Sequence, residues 1–223
     1  MRYTRTILLL LVRHALTPAT GKKLTGWLPG ISLSAEGRAQ AASARDRLKD
    51  VPINAAYSSP LERCVETAEI IAAPHRMKVE VIEDLGEIKY GDWQGRTLAS
   101  LYKSKAWVEL RARPAEFRFP NGETIREAQL RGMSAIEALR PKHKGQIVSV
   151  CSHADMIRVV TAGYLGLPLD LYDRISIGPA TVTAISLSGS VPRLLRLSDS
   201  GDYSELAAKA ATTKKETSAR KKK

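Results

Sequence analysis

The stretch ILLLLVRHALTPATG, residues 7–21, decides the predicted fold of this chain. Its apolar run, Ile7 to Val12, is too short to span a membrane and has the length of a strand buried on both faces. Polar and flexible residues follow this strand: Arg13, His14, Thr17, Thr20 and Gly21. Because ligands of α/β sheets collect at the carboxyl ends of strands, this is a candidate phosphate site. The alternative is that Arg13 and His14 simply end a buried strand.

Composition indicates a single globular domain. The chain has 223 residues, of which 43% are hydrophobic and 26% charged, enough for a sizeable core. Both cysteines, Cys64 and Cys151, fall in apolar elements, so we expect buried thiols in a reducing compartment and no disulfide. The first residues resemble a signal peptide only faintly, because Arg13 and His14 stand where small cleavage-site residues would. We therefore predict a cytoplasmic protein that does not bind membranes.

The formal net charge of +12 is unevenly distributed. Residues 206–223 hold seven Lys or Arg against one Glu, a net charge of +6, and the rest of the chain holds the other +6. A Lys/Ala/Thr/Ser segment without aromatic residues cannot bury enough apolar surface to fold. We therefore predict a folded domain over residues 1–205 and a disordered basic tail over residues 206–223. The tail could contact nucleic acid or acidic surfaces, or could remain solvated without a specific partner.

Apolar periodicity predicts strands that alternate with helices. The predicted strands cover residues 7–12, 55–58, 78–82, 146–151, 181–187 and 193–197. The predicted helices cover residues 34–48, 61–72, 98–110, 125–139 and 153–166. This alternation is typical of a three-layer α/β/α sandwich around a mostly parallel central sheet.

Three capping-box patterns mark helix starts, at Ser59 to Glu62, Thr124 to Glu127 and Ser152 to Asp155. The first pattern puts Arg63 in the first turn of a helix, where the helix dipole is already positive. A cation there is unfavourable unless an anion binds beside it. The third pattern puts His153 at a helix N-terminus.

Arg13, His14, Arg63 and His153 all follow strand ends, which lie along one edge of a parallel sheet. Two arginines and two imidazoles would form a positive pocket suited to a phosphoryl group. Nearby positive charge lowers the pKa of an imidazole, so His14 would stay neutral and nucleophilic at neutral pH. His75 and His143 lie in predicted surface turns without partners at ligand spacing, so we predict no metal site.

An ordered series of motifs resembles the histidine phosphatase superfamily, also called phosphoglycerate mutase-like. The series runs through Arg13-His14 with Thr17, Gly26-Trp27, Leu33-Ser34 with Gly37 and Gln40-Ala41, Ser58 to Leu61, Arg63 with Thr67-Ala68, Leu85 to Glu87 with Gly91 and Gly95, Gly122-Glu123, and Ser152-His153. Each motif is weak alone, but their order is specific, and the resemblance extends to about residue 200.

The resemblance implies a phosphohistidine enzyme with His14 as the nucleophile and no metal or other cofactor. It implies that Arg13, Arg63 and His153 hold the phosphate, and that Glu87 protonates the leaving oxygen. Thr17, Thr20 and Gly21 would lie near the pocket. We expect the arginines to lower the pKa of Glu87 and a bound phosphate dianion to raise it.

Some positions depart from the family pattern. Ala15 and Leu16 stand where the family usually has Gly and Glu, and Thr20 stands where mutases commonly have Asn. The separation of 66 positions between Glu87 and His153 is shorter than the one that mutases use to enclose a sugar acid. This favours a phosphomonoesterase acting on a small phosphorylated metabolite. A phosphomutase is the alternative, and a phosphate- or nucleic-acid-binding module that uses the basic tail is a third hypothesis.

Several basic side chains could bind a second anionic group of the substrate: Lys89, Arg96, Arg111, Arg113 and Arg118. The alternative is a solvated basic face without a ligand. The sequence predicts neither the identity of the substrate nor the oligomeric state.

Overall fold

The computed structural model describes residues 6–188 and 191–201. Their core is a six-stranded sheet with the strand order β3-β2-β4-β1-β5-β6. The strands are β1 (Ile7–Arg13), β2 (Ile53–Ser58), β3 (Val79–Val81), β4 (Ile147–Ser152), β5 (Val182–Ser188) and β6 (Val191–Asp199). Strands β3, β2, β4 and β1 run parallel, whereas β5 and β6 are antiparallel to their neighbours. The predicted mostly parallel sheet is confirmed.

Six α-helices of the described residues accompany the sheet. They are α1 (Ala35–Leu48), α2 (Glu62–Ala72), α3 (Leu98–Tyr102), α4 (Lys105–Ala112), α5 (Ile125–Leu139) and α6 (Ala154–Leu165). The single helix predicted over residues 98–110 is two helices, because the Ser104 hydroxyl accepts the backbone N–H of Trp107 and caps a new start. None of the helices in the described ranges is long and apolar enough to cross a bilayer.

The apolar run of β1 is buried on both faces because helices cover both sides of the sheet. Leu10 and Val12 pack in one core cluster with Ala41 of α1. Leu9 and Leu11 face the other way and pack with residues of α5 and α6. The predicted three-layer sandwich is therefore confirmed.

One of the three predicted capping boxes is present. Thr124 and Glu127 form it at the start of α5. The prediction at Ser59 was wrong, because α2 begins at Glu62 and the Ser59 hydroxyl lies 2.7 Å from Nε2 of His153. The prediction at Ser152 was also wrong, since its hydroxyl donates to the carbonyl of Leu85. Both serines are buried at strand ends and contact residues distant in sequence, and the Ser59 hydroxyl also accepts the N–H of Leu61 at 3.3 Å.

The cysteines are buried free thiols, as predicted, and both pack against Ala68. His143 is paired with the Tyr57 hydroxyl at 2.8 Å and with Gln146 at 2.7 Å. The predicted basic tail, residues 206–223, lies outside the described residues.

Candidate active site

A cavity opens at the carboxyl ends of β1, β2 and β4, and we call it the phosphate cavity. Seven of the eight predicted site residues line it: Arg13, His14, Thr17, Thr20, Gly21, Arg63 and Glu87. The eighth, His153, is fully buried behind them with its ring centre 5.2 Å from that of His14. The structure therefore brings the whole predicted set together at one edge of the sheet.

His14 follows β1 directly and is oriented by the backbone. Its Nδ1 atom lies 2.8 Å from the carbonyl oxygen of Ala15, which can only accept, so the proton of the neutral ring is assigned to Nδ1. The lone pair of Nε2 is then free for attack. Burial, Arg63 and Arg13 lower the pKa of His14 to about 3, as the sequence predicted in direction. His14 is therefore a neutral imidazole at neutral pH.

The two arginines provide buried positive charge. The Nη2 atom of Arg63, a residue only 1% exposed, donates to the carbonyl of Gly26 at 2.8 Å. Its Nε and Nη1 atoms have no hydrogen-bond partner within the described part of the chain. Arg13 donates from Nη1 to the carbonyl of Ile177 at 2.7 Å, while its Nε is likewise buried and unpaired among those residues. Buried N–H groups of this kind are costly unless an anion accepts from them.

His153 is the N-cap residue of α6, and this position was predicted correctly. Its Nε2 lies 2.7 Å from the Ser59 hydroxyl, and its Nδ1 lies 3.2 Å from Nη2 of Arg63. Since Arg63 can only donate, Nδ1 accepts and the ring is neutral. Burial and the charge of Arg63 accordingly lower the pKa of His153 well below its ordinary value.

Glu87 is fixed by contacts to its backbone and its side chain. Its carbonyl accepts from Nε1 of Trp27 at 2.5 Å and from Nη2 of Arg131 at 2.7 Å. One carboxyl oxygen accepts the N–H of Ile88, and the other lies 3.9 Å from Nδ1 of His153. The carboxyl group is thereby held beside His153.

The pKa of Glu87 corrects one sequence expectation. Burial first, and the nearby Asp155 carboxylate second, raise this pKa to about 7. The N–H of Ile88, Arg63 and Arg13 act in the opposite direction. The arginines lower this pKa as expected, but the expected net lowering before a phosphate binds was wrong, because desolvation outweighs them. Glu87 can therefore carry a proton near neutral pH in the unliganded protein.

The loop after His14 is closed by two threonines. The hydroxyls of Thr17 and Thr20 lie 3.0 Å apart, and the Thr20 hydroxyl also accepts the backbone N–H of Thr17. Gly21 follows with a φ of +74°, a conformation that favours glycine. Thr20, the departure from the mutase pattern, thus shapes the wall of the phosphate cavity.

Thr67 links two of the strand ends. Its hydroxyl accepts the N–H of Ala15 at 3.1 Å and donates to the carbonyl of Arg63 at 2.7 Å. The N–H of Leu16 donates to Gln40 Oε1. The Ala15-Leu16 pair, the other departure from the family pattern, therefore keeps its backbone groups bonded.

Five polar residues of the cavity were not predicted: Lys23, Thr25, Tyr90, Asp155 and Arg158. Asp155 accepts from the Tyr90 hydroxyl and from Nη1 of Arg158, both at 2.6 Å. Asp155 was interpreted as a capping residue only. The signal that could have identified it is its place two residues after His153, at the same strand end.

Three of the five predicted basic residues are paired and exposed. Arg111 pairs with Asp173, Arg113 with Glu116 at 3.6 Å, and Arg118 with Glu127 at 2.5 Å. For Arg113 and Arg118 the solvated face is the better description, whereas Arg111 lines a cavity together with Trp107 and Asp173. Lys89 lies over the Trp27 ring, 5.4 Å from its centre.

Comparison with known proteins agrees with this arrangement. A sequence model of the histidine phosphatase superfamily (branch 1) matches residues 9–200. The phosphoglycerate mutase-like protein 4 of Arabidopsis thaliana is 33% identical over 156 residues, 67% of this chain and 67% of that protein. Phosphoserine phosphatase 1 of Hydrogenobacter thermophilus is 29% identical over 169 residues, 74% of this chain and 79% of that protein.

A solved structure is similar over the same region. A mycobacterial glucosyl-3-phosphoglycerate phosphatase aligns with a TM-score of 0.79 at 26% identity, covering 87% of this chain and 99% of that one. The motifs, the fold and these matches lead to one conclusion: the chain belongs to the histidine phosphatase superfamily, branch 1.

Proposed function

We propose that the protein is a phosphatase that hydrolyses a small phosphomonoester without a metal ion, through a phosphohistidine formed on His14. One observation carries the proposal: a neutral imidazole with a free Nε2 lines the same cavity as two buried guanidinium groups. Phosphoryl transfer needs charge neutralisation and positioning, and paired guanidinium groups can supply what metal ions supply in kinases. Membership of the superfamily supports the enzyme class.

In the first step, Nε2 of His14 attacks phosphorus and the bond from phosphorus to the leaving oxygen breaks. Protonated Glu87 gives its proton to that oxygen, so that a neutral alcohol leaves. Arg13 and Arg63 hold the charged phosphoryl oxygens throughout. Nδ1 keeps its proton and donates it in a hydrogen bond to the carbonyl oxygen of Ala15, which stabilises the substituted ring.

In the second step, the Glu87 carboxylate takes a proton from water as the water oxygen attacks phosphorus. The bond between phosphorus and Nε2 breaks, inorganic phosphate leaves, and Glu87 is protonated again for the next turnover. A pKa of about 7 suits a group that must both give and take a proton near neutral pH.

We also propose that His153 helps to hold the phosphate, as the family resemblance implies. Its Nδ1 contacts Arg63 and lies 3.9 Å from Glu87, so it orients both groups. A bound dianion would raise the pKa of His153 and favour a proton on this nitrogen. Thr17, Thr20 and Gly21 are proposed to shape the loop that closes over the phosphate.

The test is phosphate release from p-nitrophenyl phosphate and alkyl phosphates in EDTA. We expect wild-type turnover to survive chelation and His14→Ala to lose about ten-thousandfold in kcat, the scale of removing a nucleophile. Rapid acid-free quenching should trap phosphohistidine in the wild type only. His143→Ala, a histidine outside the cavity, is the matched control. Turnover by His14→Ala, or activity that disappears in EDTA and returns with Mg²⁺, would refute the proposal.

A phosphomutase of the same chemistry is the second candidate, because one of the relatives above is named phosphoglycerate mutase-like. A mutase would interconvert 2- and 3-phosphoglycerate when primed with 2,3-bisphosphoglycerate. If this conversion outpaces phosphate release, the mutase replaces the phosphatase.

We further propose that the enzyme works in the cytoplasm, a reducing compartment. The two free, buried thiols, Cys64 and Cys151, support this assignment.

A further inference from the structure

A second cavity adjoins the phosphate cavity, and we call it the aromatic cavity. Eight of its twelve lining residues are apolar or aromatic, among them Tyr90, Trp93, Trp107, Leu110, Phe119 and Tyr172. Four residues line both cavities, namely Leu24, Tyr90, Asp155 and Arg158. A phosphate held by the arginines would therefore lie next to the aromatic cavity.

The wall of the aromatic cavity is a preformed cluster. The rings of Trp93 and Trp107 stack with centres 6.0 Å apart, and Phe119 meets Trp93 edge to face at 5.2 Å. Trp93 and Phe119 are buried, whereas Trp107 is half-buried and can offer more ring surface to a ligand. A fixed wall binds an apolar group without the cost of ordering its side chains.

The charged residues of the aromatic cavity are neutralised by one another. Arg111 pairs with Asp173, and Arg158 pairs with Asp155. Each arginine of this wall thus has a carboxylate partner. A substrate carboxylate or second phosphate would have to displace one of these carboxylates, and like charge would oppose its entry.

We propose that the alcohol part of the substrate is an uncharged, mainly apolar group that occupies the aromatic cavity, and that a second anionic group is selected against. The inference rests on the proposed function and adds the substrate class to it. The proposed substrate class differs from the substrates after which two of the similar proteins are named, because phosphoserine and glucosyl-3-phosphoglycerate both carry a carboxylate.

The experiment compares kcat/KM for three esters of primary alcohols or methanol: 2-phenylethyl phosphate, O-phosphoserine and methyl phosphate. We expect 2-phenylethyl phosphate to exceed O-phosphoserine by about tenfold or more, the effect of burying one ring. Trp107→Ala should reduce the ratio of 2-phenylethyl to methyl phosphate by about tenfold. Val108→Ala is the matched control, because Val108 is on the same helix and 65% exposed, and it should leave that ratio unchanged.

Asp173→Asn tests whether a second anionic group is selected against, because it should improve the hydrolysis of O-phosphoserine. It frees the Arg111 guanidinium, so kcat/KM for O-phosphoserine should rise roughly threefold to tenfold relative to 2-phenylethyl phosphate. A merely structural role for Asp173 would not change this ratio.

The inference is overturned if O-phosphoserine is the better substrate of the wild type, or if Trp107→Ala lowers kcat/KM equally for all three esters. These outcomes leave the proposed function intact as long as methyl phosphate is hydrolysed in a His14-dependent manner. Turnover that survives His14→Ala would instead refute the proposed function itself.

Discussion

The two adjoining cavities differ in whether the charges of their arginine side chains are paired with carboxylates. In the phosphate cavity, Arg63 is buried with two nitrogen atoms that no described residue accepts from. In the aromatic cavity, Arg111 is paired with the carboxylate of Asp173, and in the wall that both cavities share Arg158 is paired with Asp155. An arginine is thus available to bind a ligand in the phosphate cavity, whereas an arginine is neutralised by a carboxylate in the aromatic cavity. The contrast implies that the phosphate cavity carries out the proposed phosphoryl transfer and that the aromatic cavity selects the substrate.

The largest effect is expected for Arg63→Gln, a substitution in the phosphate cavity. Removing this guanidinium should lower kcat/KM by about a thousandfold for every ester, since its donors act on the phosphoryl group that all esters share. Steady-state kinetics on the three esters measures this, with urea unfolding to check the fold. Arg113→Gln, an exposed arginine paired with Glu116, is the control and should have no such effect. A loss confined to one ester would contradict the division between the cavities.

Glu87→Gln should give a smaller and more selective loss. Alkyl esters need a proton on the leaving oxygen, so their kcat/KM should fall about a hundredfold to a thousandfold. The kcat/KM of p-nitrophenyl phosphate should fall far less, because nitrophenolate leaves without a proton. Both are measured with purified protein at neutral pH. Equal losses for the two kinds of ester would show that Glu87 is not the proton donor.

The smallest expected effect is a shift of the pH profile in Asp155→Asn. With a pKa of about 7, Glu87 loses its proton as the pH rises, so wild-type kcat/KM for alkyl esters should decline above about pH 7. The negative charge of Asp155 helps to raise this pKa, whereas Arg63 and Arg13 lower it. Removing the charge should therefore move the decline to lower pH. Asp46→Asn, an exposed aspartate paired with Arg45, should leave the profile where it is.

An unchanged profile in Asp155→Asn would mean that Asp155 does not act on Glu87. A shift to higher pH would contradict the electrostatic account altogether. The acidic limb, which reports the second ionisation of the phosphate ester itself, should be the same in both proteins.

The parts of the fold predicted well are those fixed by local sequence. The apolar run before Arg13 marks β1 because only a doubly buried strand tolerates such a run. The box from Thr124 to Glu127 marks the start of α5 because its hydrogen bonds are contained within four residues. Ser59 and Ser152 carry the same local pattern, but their hydroxyls found partners distant in sequence.

The site was predictable in its membership but not in its energetics. Strand ends placed His14 and Arg63 together because the topology of parallel strands does so. The pKa of Glu87 depends on burial and on Asp155, which follow only from the packed structure. The aromatic cavity could not be predicted from the sequence either, because Tyr90, Trp107 and Tyr172 lie in separate segments without a shared spacing.

The buried nitrogens of Arg63 have a consequence for the lifetime of the protein. Any oxyanion that binds the folded chain but not the unfolded one lowers the unfolded fraction by mass action. Because proteases and aggregation act on the unfolded fraction, a cell rich in the substrate or in inorganic phosphate would degrade this enzyme more slowly. The supply of phosphorylated metabolite would then set the amount of enzyme as well as its rate of turnover.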